Sequence, residues 1–170
     1  LDDYLPFLER SYHTNIRDGR FNVIVQGGTK LMGNLRIAKN SRYENLIESN
    51  TTYPLYGLYF PQALQQYDIQ SQIRQMAELP TCLPICLSGP MEVLSVLIGK
   101  PDLLISEDSY SPILCMSAIE HVDDRLALVV KSYGYNLELW AMSQMVTPTL
   151  KQVSEQWSGG ISVFSTYETE

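Results

Sequence analysis

Residues 125–146, RLALVVKSYGYNLELWAMSQMV, contain two long apolar runs on either side of Tyr133-Gly134-Tyr135-Asn136. Glycine reaches positive φ without steric cost, so this tetrapeptide predicts a tight turn between two strands. The second run, residues 136–146, is also compatible with a helix, because Leu, Glu, Ala and Met are good helix formers. Whether residues 136–146 form a strand or a helix stays open from the sequence alone.

Short apolar runs bounded by turn residues lie on both sides of this hairpin. Each is typical of a strand, and they read TYPLYGLYF, TCLPICL, MEVLSVLI, DLLIS, PILCMSA and ISVFSTY. Helices are predicted at 61–79, opened by Pro61, and at 148–158, capped by Thr147. We expect no clean helix through Pro6, and a loop with one helical turn at 40–52.

Residues 21–40, FNVIVQGGTKLMGNLRIAKN, form a second hairpin signal. Two alternating apolar runs flank a short glycine loop, which predicts a β-hairpin arm over residues 21–39. The sequence therefore predicts an α+β, β-rich fold. We expect a bent sheet or small barrel with a protruding β-hairpin and two helices, in one domain spanning residues 1–170.

The charge of the chain is divided unevenly along its length. Of twelve basic residues, six lie between Arg17 and Arg42, opposed there only by Asp18, so this stretch carries +5. The net charge is −7, and the remainder therefore carries −12. Such asymmetry indicates an anionic partner for one region, although a solvated hairpin produces the same pattern.

The glycine loop itself does not match a phosphate-binding motif. A P-loop needs two glycines separated by four residues, then Lys and Ser or Thr at the start of a helix, whereas here a second strand is predicted after the glycines. The Gly-x-Ser-x-Gly elbow of a serine hydrolase is also absent, and only His13 and His121 are available as bases. The sequence thus predicts a protein that is not an enzyme and that needs no cofactor.

Two groups of metal-ligand residue types have simpler structural explanations. Cys82, Cys86 and Cys115 with His121 could hold zinc, but free cysteine usually behaves as a small buried hydrophobe. Residues 120–124, Glu-His-Val-Asp-Asp, could bind a divalent cation, yet an acidic turn between strands gives the same pattern. We therefore predict no metal site.

Aromatic residues directly follow the basic stretch. Cationic residues beside rings on which bases stack are the ingredients of single-stranded nucleic-acid binding. The hypothesis favoured by the sequence is a non-enzymatic binding module that contacts single-stranded nucleic acid. The alternative is a protein–protein assembly or adaptor module, in which the hairpin binds an acidic face of a neighbouring subunit. In either case the candidate contact residues are Arg17, Arg20, Lys30, Arg36, Lys39, Arg42, Tyr56 and Tyr59.

Several short motifs occur in a characteristic order. They are Tyr4-Leu5-Pro6, residues 56–61 (YGLYFP), Ser88-Gly89 followed by Glu92, residues 101–105 (PDLLI) and residues 111–114 (SPIL). This order resembles a cyanobacterial domain family of unknown function, mainly over residues 53–115. Residues 11–52 have no counterpart in that pattern, and Cys115-Met116-Ser117 replaces its Asp-Arg pair. The resemblance implies a bacterial or phage-related setting and transfers no site residue.

The bulk composition is that of an ordinary globular chain. Forty-five per cent of the residues are apolar, and no apolar run approaches the ~20 residues of a membrane span. Three cysteines without a secretory signal favour reduced thiols and a cytoplasmic location. The chain begins at Leu1 rather than Met, so whether the N-terminus is complete stays open.

Overall fold

The structure is a computed structural model that describes residues 1, 3–25, 30–64, 67–106, 111, 113–143 and 157–166. In chain order its helices are α1 (Leu5–Asn15), α2 (Tyr43–Thr52), α3 (Ile69–Glu78) and α4 (Pro90–Gly99). Its strands are β1 (Arg20–Val25), β2 (Leu35–Ile37), β3 (Leu55–Phe60), β4 (Ile85–Leu87), β5 (Ile113–His121), β6 (Leu126–Tyr133), β7 (Asn136–Ser143), β8 (Trp157–Gly159) and β9 (Ile161–Thr166). The predicted α+β, β-rich class is confirmed.

The larger sheet is curled and has the strand order β1-β7-β6-β5-β2. Its centre is the antiparallel ladder of β5, β6 and β7, while β1 pairs with β7 in parallel. The short β8 pairs in parallel with the beginning of β5, and the chain then continues past Gly160 into the smaller sheet. That sheet has the order β3-β9-β4, with both pairings antiparallel.

Alternation along the central strands produces two hydrophobic cores, one on each face of the larger sheet. In β6, Leu128 and Val130 pack in the first core with α1 and α4. Ala127 and Val129, at the intervening positions, pack in the second core with α2, α3 and the smaller sheet. Successive side chains of a strand point to opposite faces of the sheet. Because other elements pack on both faces of the larger sheet, its central strands need apolar residues at every position rather than at alternate positions.

The hairpin predicted from residues 125–146 is confirmed. β6 and β7 pair from Leu126↔Ser143 to Tyr133↔Asn136, and Gly134 has φ 55°. Gly134 is the first central residue of the two-residue loop, and glycine at this position is typical of a type II′ turn. The open question about residues 136–146 is answered for 136–143, which form β7; residues 144–146 lie outside the described part.

The predicted hairpin arm at residues 21–39 is wrong. β1 and β2 belong to the same sheet but lie at its opposite edges, where β1 pairs with β7 and β2 with β5. An isolated two-stranded hairpin is marginally stable in water. Phe21 and Val25 of β1 and Leu35 of β2 instead pack against the first core, so each strand gains more from a long central partner.

Several helix predictions also need correction. The 61–79 helix begins only at Ile69, where the Asp68 side chain caps it by accepting from the Ser71 N–H at 2.6 Å. Pro6 lies in the first turn of α1, where its missing N–H is tolerated. Two segments without a predicted full helix, 40–52 and MEVLSVLI, contain α2 and α4. The predicted 148–158 helix lies outside the described residues, apart from Trp157 and Ser158 in β8.

Candidate functional site

The structure separates the basic residues that the sequence places close together. Arg20 begins β1 at one edge of the larger sheet, and Arg36 lies in β2 at the other. Arg17 follows α1, exposed beside Asp18 at 3.8 Å, and Lys30 and Lys39 are exposed in the loops around β2. These residues therefore do not form one cationic arm.

Two of the predicted contact residues have partners within the chain. Arg36 Nε lies 3.0 Å from Glu120 Oε2 across the β2–β5 pair. The guanidinium of Arg42 donates to the main-chain oxygens of Leu79 and Pro80, just beyond the end of α3. Arg42 thus joins the start of α2 to the C-terminal end of α3, where a cation is favourable.

The two predicted aromatic contact residues lie together on β3. Tyr56 is 60 % exposed, and so are its alternate neighbours Leu58 (65 %) and Phe60 (44 %). Among the described residues, β3 has β9 on one side and no strand on the other. Natural edge strands are commonly protected by charges or proline, yet the β3 sequence LYGLYF contains neither. The edge strands β1 and β2 of the larger sheet each include an arginine.

A groove of about 350 Å³ lies between β3 and the helices α2 and α4. Its walls are mainly apolar and include Leu46, Leu55, Met91 and Val96. Its polar groups include those of Asn50, Tyr59, Glu92, Ser95 and Ser162. A mainly apolar concave surface with a few convergent polar groups is the usual form of a binding site. We refer to this surface as the β3 groove.

Glu92 is the most highly connected polar residue of the β3 groove. Its Oε2 accepts from the Tyr43 hydroxyl at 2.9 Å and from the Gly89 N–H at 3.4 Å. Its Oε1 accepts from the Ser162 hydroxyl at 2.7 Å. Glu92 is also the third residue of α4, where a carboxylate satisfies free N–H groups at the helix start. One side chain therefore connects α2, α4 and β9.

Burial controls the electrostatics of this cluster. Desolvation raises the pKa of Glu92, although the hydrogen bonds from Ser162, Tyr43 and Gly89 act in the opposite direction. Desolvation also raises the pKa of Tyr43 and of Tyr59, with the negative charge of Glu92 as the next cause. The Tyr59 hydroxyl is buried beside Ser88, without a hydrogen bond of standard geometry to the described residues. The charge of Glu92 thus influences each titratable neighbour.

The acidic turn at residues 120–124 does not form a cation site. Glu120 pairs with Arg36, and both oxygens of Asp123 accept from Arg125, which lowers the pKa of Asp123 to about 2. His121 is buried, and its Nδ1 accepts from the Asp123 N–H at 3.0 Å. Within the described part of the chain, no three His, Cys, Asp or Glu residues converge as metal ligands.

The cysteines behave differently from one another. Cys86 and Cys115 are buried, as the sequence predicts, and burial raises the pKa of Cys86. Cys82 is exposed, so its predicted core position is wrong.

No helix in the described part is long and apolar enough to cross a membrane.

Sequence reasoning identified Tyr56 and Tyr59 but missed Tyr43, Glu92 and Ser162 as members of the same site. One signal was available for Glu92, because Gly89-Pro90-Met91-Glu92 combines proline at the first helical position with glutamate at the third.

Comparison with protein-family models, with curated proteins and with solved structures finds no match for the chain. The resemblance to a cyanobacterial domain family stays a prediction.

Proposed function

We propose that this chain is a non-enzymatic protein-binding module whose β3 edge receives an extended segment of another protein. The observation that carries the proposal is the row of exposed apolar side chains, Tyr56, Leu58 and Phe60, on an edge strand without charge or proline. An added strand would gain main-chain hydrogen bonds from the edge and apolar contact from this row. Two concave surfaces, of about 350 and 590 Å³, both border residues 56–58, which provides room for side chains on either side.

Charge favours a partner that is a different protein over nucleic acid. Outside residues 17–42 the chain carries −12, and this part includes β3 and both helices of the groove. The basic residues are divided between opposite sheet edges, intramolecular pairs and separate loops. Binding to single-stranded nucleic acid stays a prediction, and the experiment includes it as an outcome.

The test uses fluorescein-labelled nonapeptides with alternating Thr and Val, a pattern that forms strands, and measures binding by fluorescence anisotropy. Leu58→Lys adds a charge to the exposed row of β3, and Val23→Lys adds the same charge to β1, where Val23 is 44 % exposed. We expect Leu58→Lys to weaken binding at least tenfold and Val23→Lys to leave it within twofold. Both variants should retain the circular dichroism spectrum of the parent chain.

Three outcomes would overturn the proposal. One is equal binding by the parent chain and Leu58→Lys, and another is no binding at all. The third is tight, salt-dependent binding of a labelled single-stranded oligonucleotide that Leu58→Lys does not weaken, because the function would then reside in the basic residues. Light scattering should show the same mass for the parent chain and for Leu58→Lys. A parent dimer that Leu58→Lys dissociates would be a fourth outcome against the proposal, because a second copy of the chain would then occupy the edge in place of another protein.

A further inference from the structure

We infer that the segment docked on β3 carries an arginine or lysine side chain that reaches Glu92 through the β3 groove. This inference rests on the proposed function, and it specifies the chemistry of the partner. In an added strand, alternate side chains would lie on opposite faces of the smaller sheet. One set would lie on the face that carries the side chains of Tyr56, Leu58 and Phe60, and the other set on the face that carries Tyr59. Tyr59 and Glu92 both line the groove, so this second set would approach Glu92.

Glu92 is the one charged residue among those that line the β3 groove in the described part of the chain. No lysine, arginine or histidine lies within ion-pair distance of its carboxylate there. A carboxylate that is largely removed from water and lacks a counter-ion is destabilised, and a cation from a ligand would relieve this cost. The groove therefore selects for a positively charged side chain.

The hydrogen bonds of Glu92 leave room for such a donor. An ionised carboxylate has about four acceptor positions. Oε2 accepts two hydrogen bonds, from Tyr43 and Gly89, and Oε1 accepts one, from Ser162. The main-chain N–H of Glu92 also acts on the carboxylate. Oε1 accepts only the Ser162 hydroxyl among the hydrogen bonds of standard geometry in the described part, so it is the oxygen that a ligand cation would reach. The exposed Ser95 also lines the groove and can accept a second hydrogen bond from a guanidinium.

The competing explanation is that Glu92 only holds α4, α2 and β9 together. Glu92→Gln separates the two roles, because glutamine also accepts hydrogen bonds at the third helical position and has almost the same shape. Glu48→Gln is the matched control. Glu48 is exposed on α2 and does not line the groove, and its substitution removes the same unit of charge. Any effect of overall charge should appear equally in both variants.

The test compares three nonapeptides, Thr-Val-Thr-Val-Xaa-Val-Thr-Val-Thr, in which Xaa is arginine, citrulline or glutamate. Citrulline has nearly the size of arginine and is neutral. For the parent chain at 150 mM salt, we expect the arginine peptide to bind at least tenfold more tightly than the citrulline peptide, and the glutamate peptide to bind most weakly. In Glu92→Gln the arginine preference should fall to within twofold, while Glu48→Gln should retain it.

Equal affinity for the arginine and citrulline peptides in the parent chain would overturn this inference. So would an arginine preference that Glu92→Gln and Glu48→Gln reduce by the same factor. In both cases, weaker binding in Leu58→Lys would still support the proposed function. If Leu58→Lys weakens none of the peptides, the proposed function itself fails. Thermal unfolding of Glu92→Gln accompanies the binding data, to establish that the variant is folded at the assay temperature.

Discussion

The Tyr43 hydroxyl donates to Glu92 Oε2 at 2.9 Å and accepts from the Met91 N–H at the same distance. Tyr43 is the first residue of α2 and is 2 % exposed, and Glu92 lies in the first turn of α4. A single buried hydroxyl thus connects the two helices that form one side of the β3 groove.

Removal of the Tyr43 hydroxyl should destabilise the fold without changing its core volume. Tyr43→Phe leaves the Met91 N–H without its partner and leaves Glu92 Oε2 with only the longer hydrogen bond from the Gly89 N–H, and we expect a loss of about 1–3 kcal/mol of unfolding free energy. Urea denaturation followed by circular dichroism measures this loss. Tyr53→Phe is the control, since Tyr53 is 47 % exposed and should change stability by less than about 0.5 kcal/mol.

Glu92 should make stability depend on pH. Its pKa is raised in the folded state above the ordinary value of 4.5, so the folded state retains this proton more strongly than the unfolded state. The contribution is fully present below the unfolded pKa and is lost as pH rises through the folded pKa. Relative to Glu92→Gln, the parent chain should therefore lose stability as pH rises from 4.5, by at most about 1.4 kcal/mol per pH unit.

Urea denaturation of both chains across this pH range measures that difference. The titratable groups that face Glu92 are Tyr43 on α2, Tyr59 on β3 and Cys86 on β4, and all three are neutral at these pH values, since their pKa values are raised. They therefore add no titration of their own. A difference that stays constant with pH, or grows in favour of the parent chain, would contradict the account of Glu92.

Arg42 should be important for stability, because it joins two helices. Its guanidinium donates to the main-chain oxygens of Leu79 and Pro80, so Arg42→Ala should lose about 1–3 kcal/mol, measured by urea denaturation. Arg42 also has φ 61°, a conformation that glycine adopts more readily, so Arg42→Gly should be less damaging than Arg42→Ala. Lys39→Ala, at an exposed position, serves as the control. If all three variants match the parent chain, the link between the helices is unimportant.

Asp123 and Arg125 should behave as a local ion pair. The hydrogen bonds from Arg125 hold the pKa of Asp123 at about 2, and Arg125→Ala should return it towards its ordinary value of 3.8. A carboxyl-detected NMR titration of both chains measures the change. The pair is exposed, so its contribution should decrease as salt increases. An unchanged pKa in Arg125→Ala would show that the hydrogen bonds from the Arg125 side chain do not lower the pKa of Asp123.

The sequence predicts local features of this fold better than long-range ones. The β6–β7 turn follows from Gly134 and its flanking apolar runs, because a two-residue connection leaves the strands no choice of partner. Two strands are predicted within residues 21–39, and β1 and β2 lie in this part of the chain, although β2 covers only Leu35–Ile37. The predicted pairing is wrong, since the choice of partner depends on β5 and β7, about a hundred residues away. Periodicity in MEVLSVLI did not distinguish a buried strand from a buried helix, and Pro90 with Glu92 favours α4.

The same limit applies to the candidate site. The sequence predicts Tyr56 and Tyr59 as contact residues because they are aromatics near a basic stretch; in the structure Tyr56 belongs to the exposed row of an edge strand and Tyr59 to its inner face. Glu92 and Ser162 are seventy residues apart in sequence and meet only because β9 returns beside β3. No local pattern contains that contact.

Amide hydrogen exchange of β3 tests the central claim most directly. Exchange is measured by NMR on the free chain and on the chain saturated with the arginine nonapeptide. Pairing of the peptide with the open edge should slow exchange at alternate residues within Leu55–Phe60 at least tenfold and leave the edge strands β1 and β2 unchanged. Unchanged exchange throughout β3 in the saturated complex, or slowing confined to β1 or β2, would contradict the assignment of β3 as the docking edge.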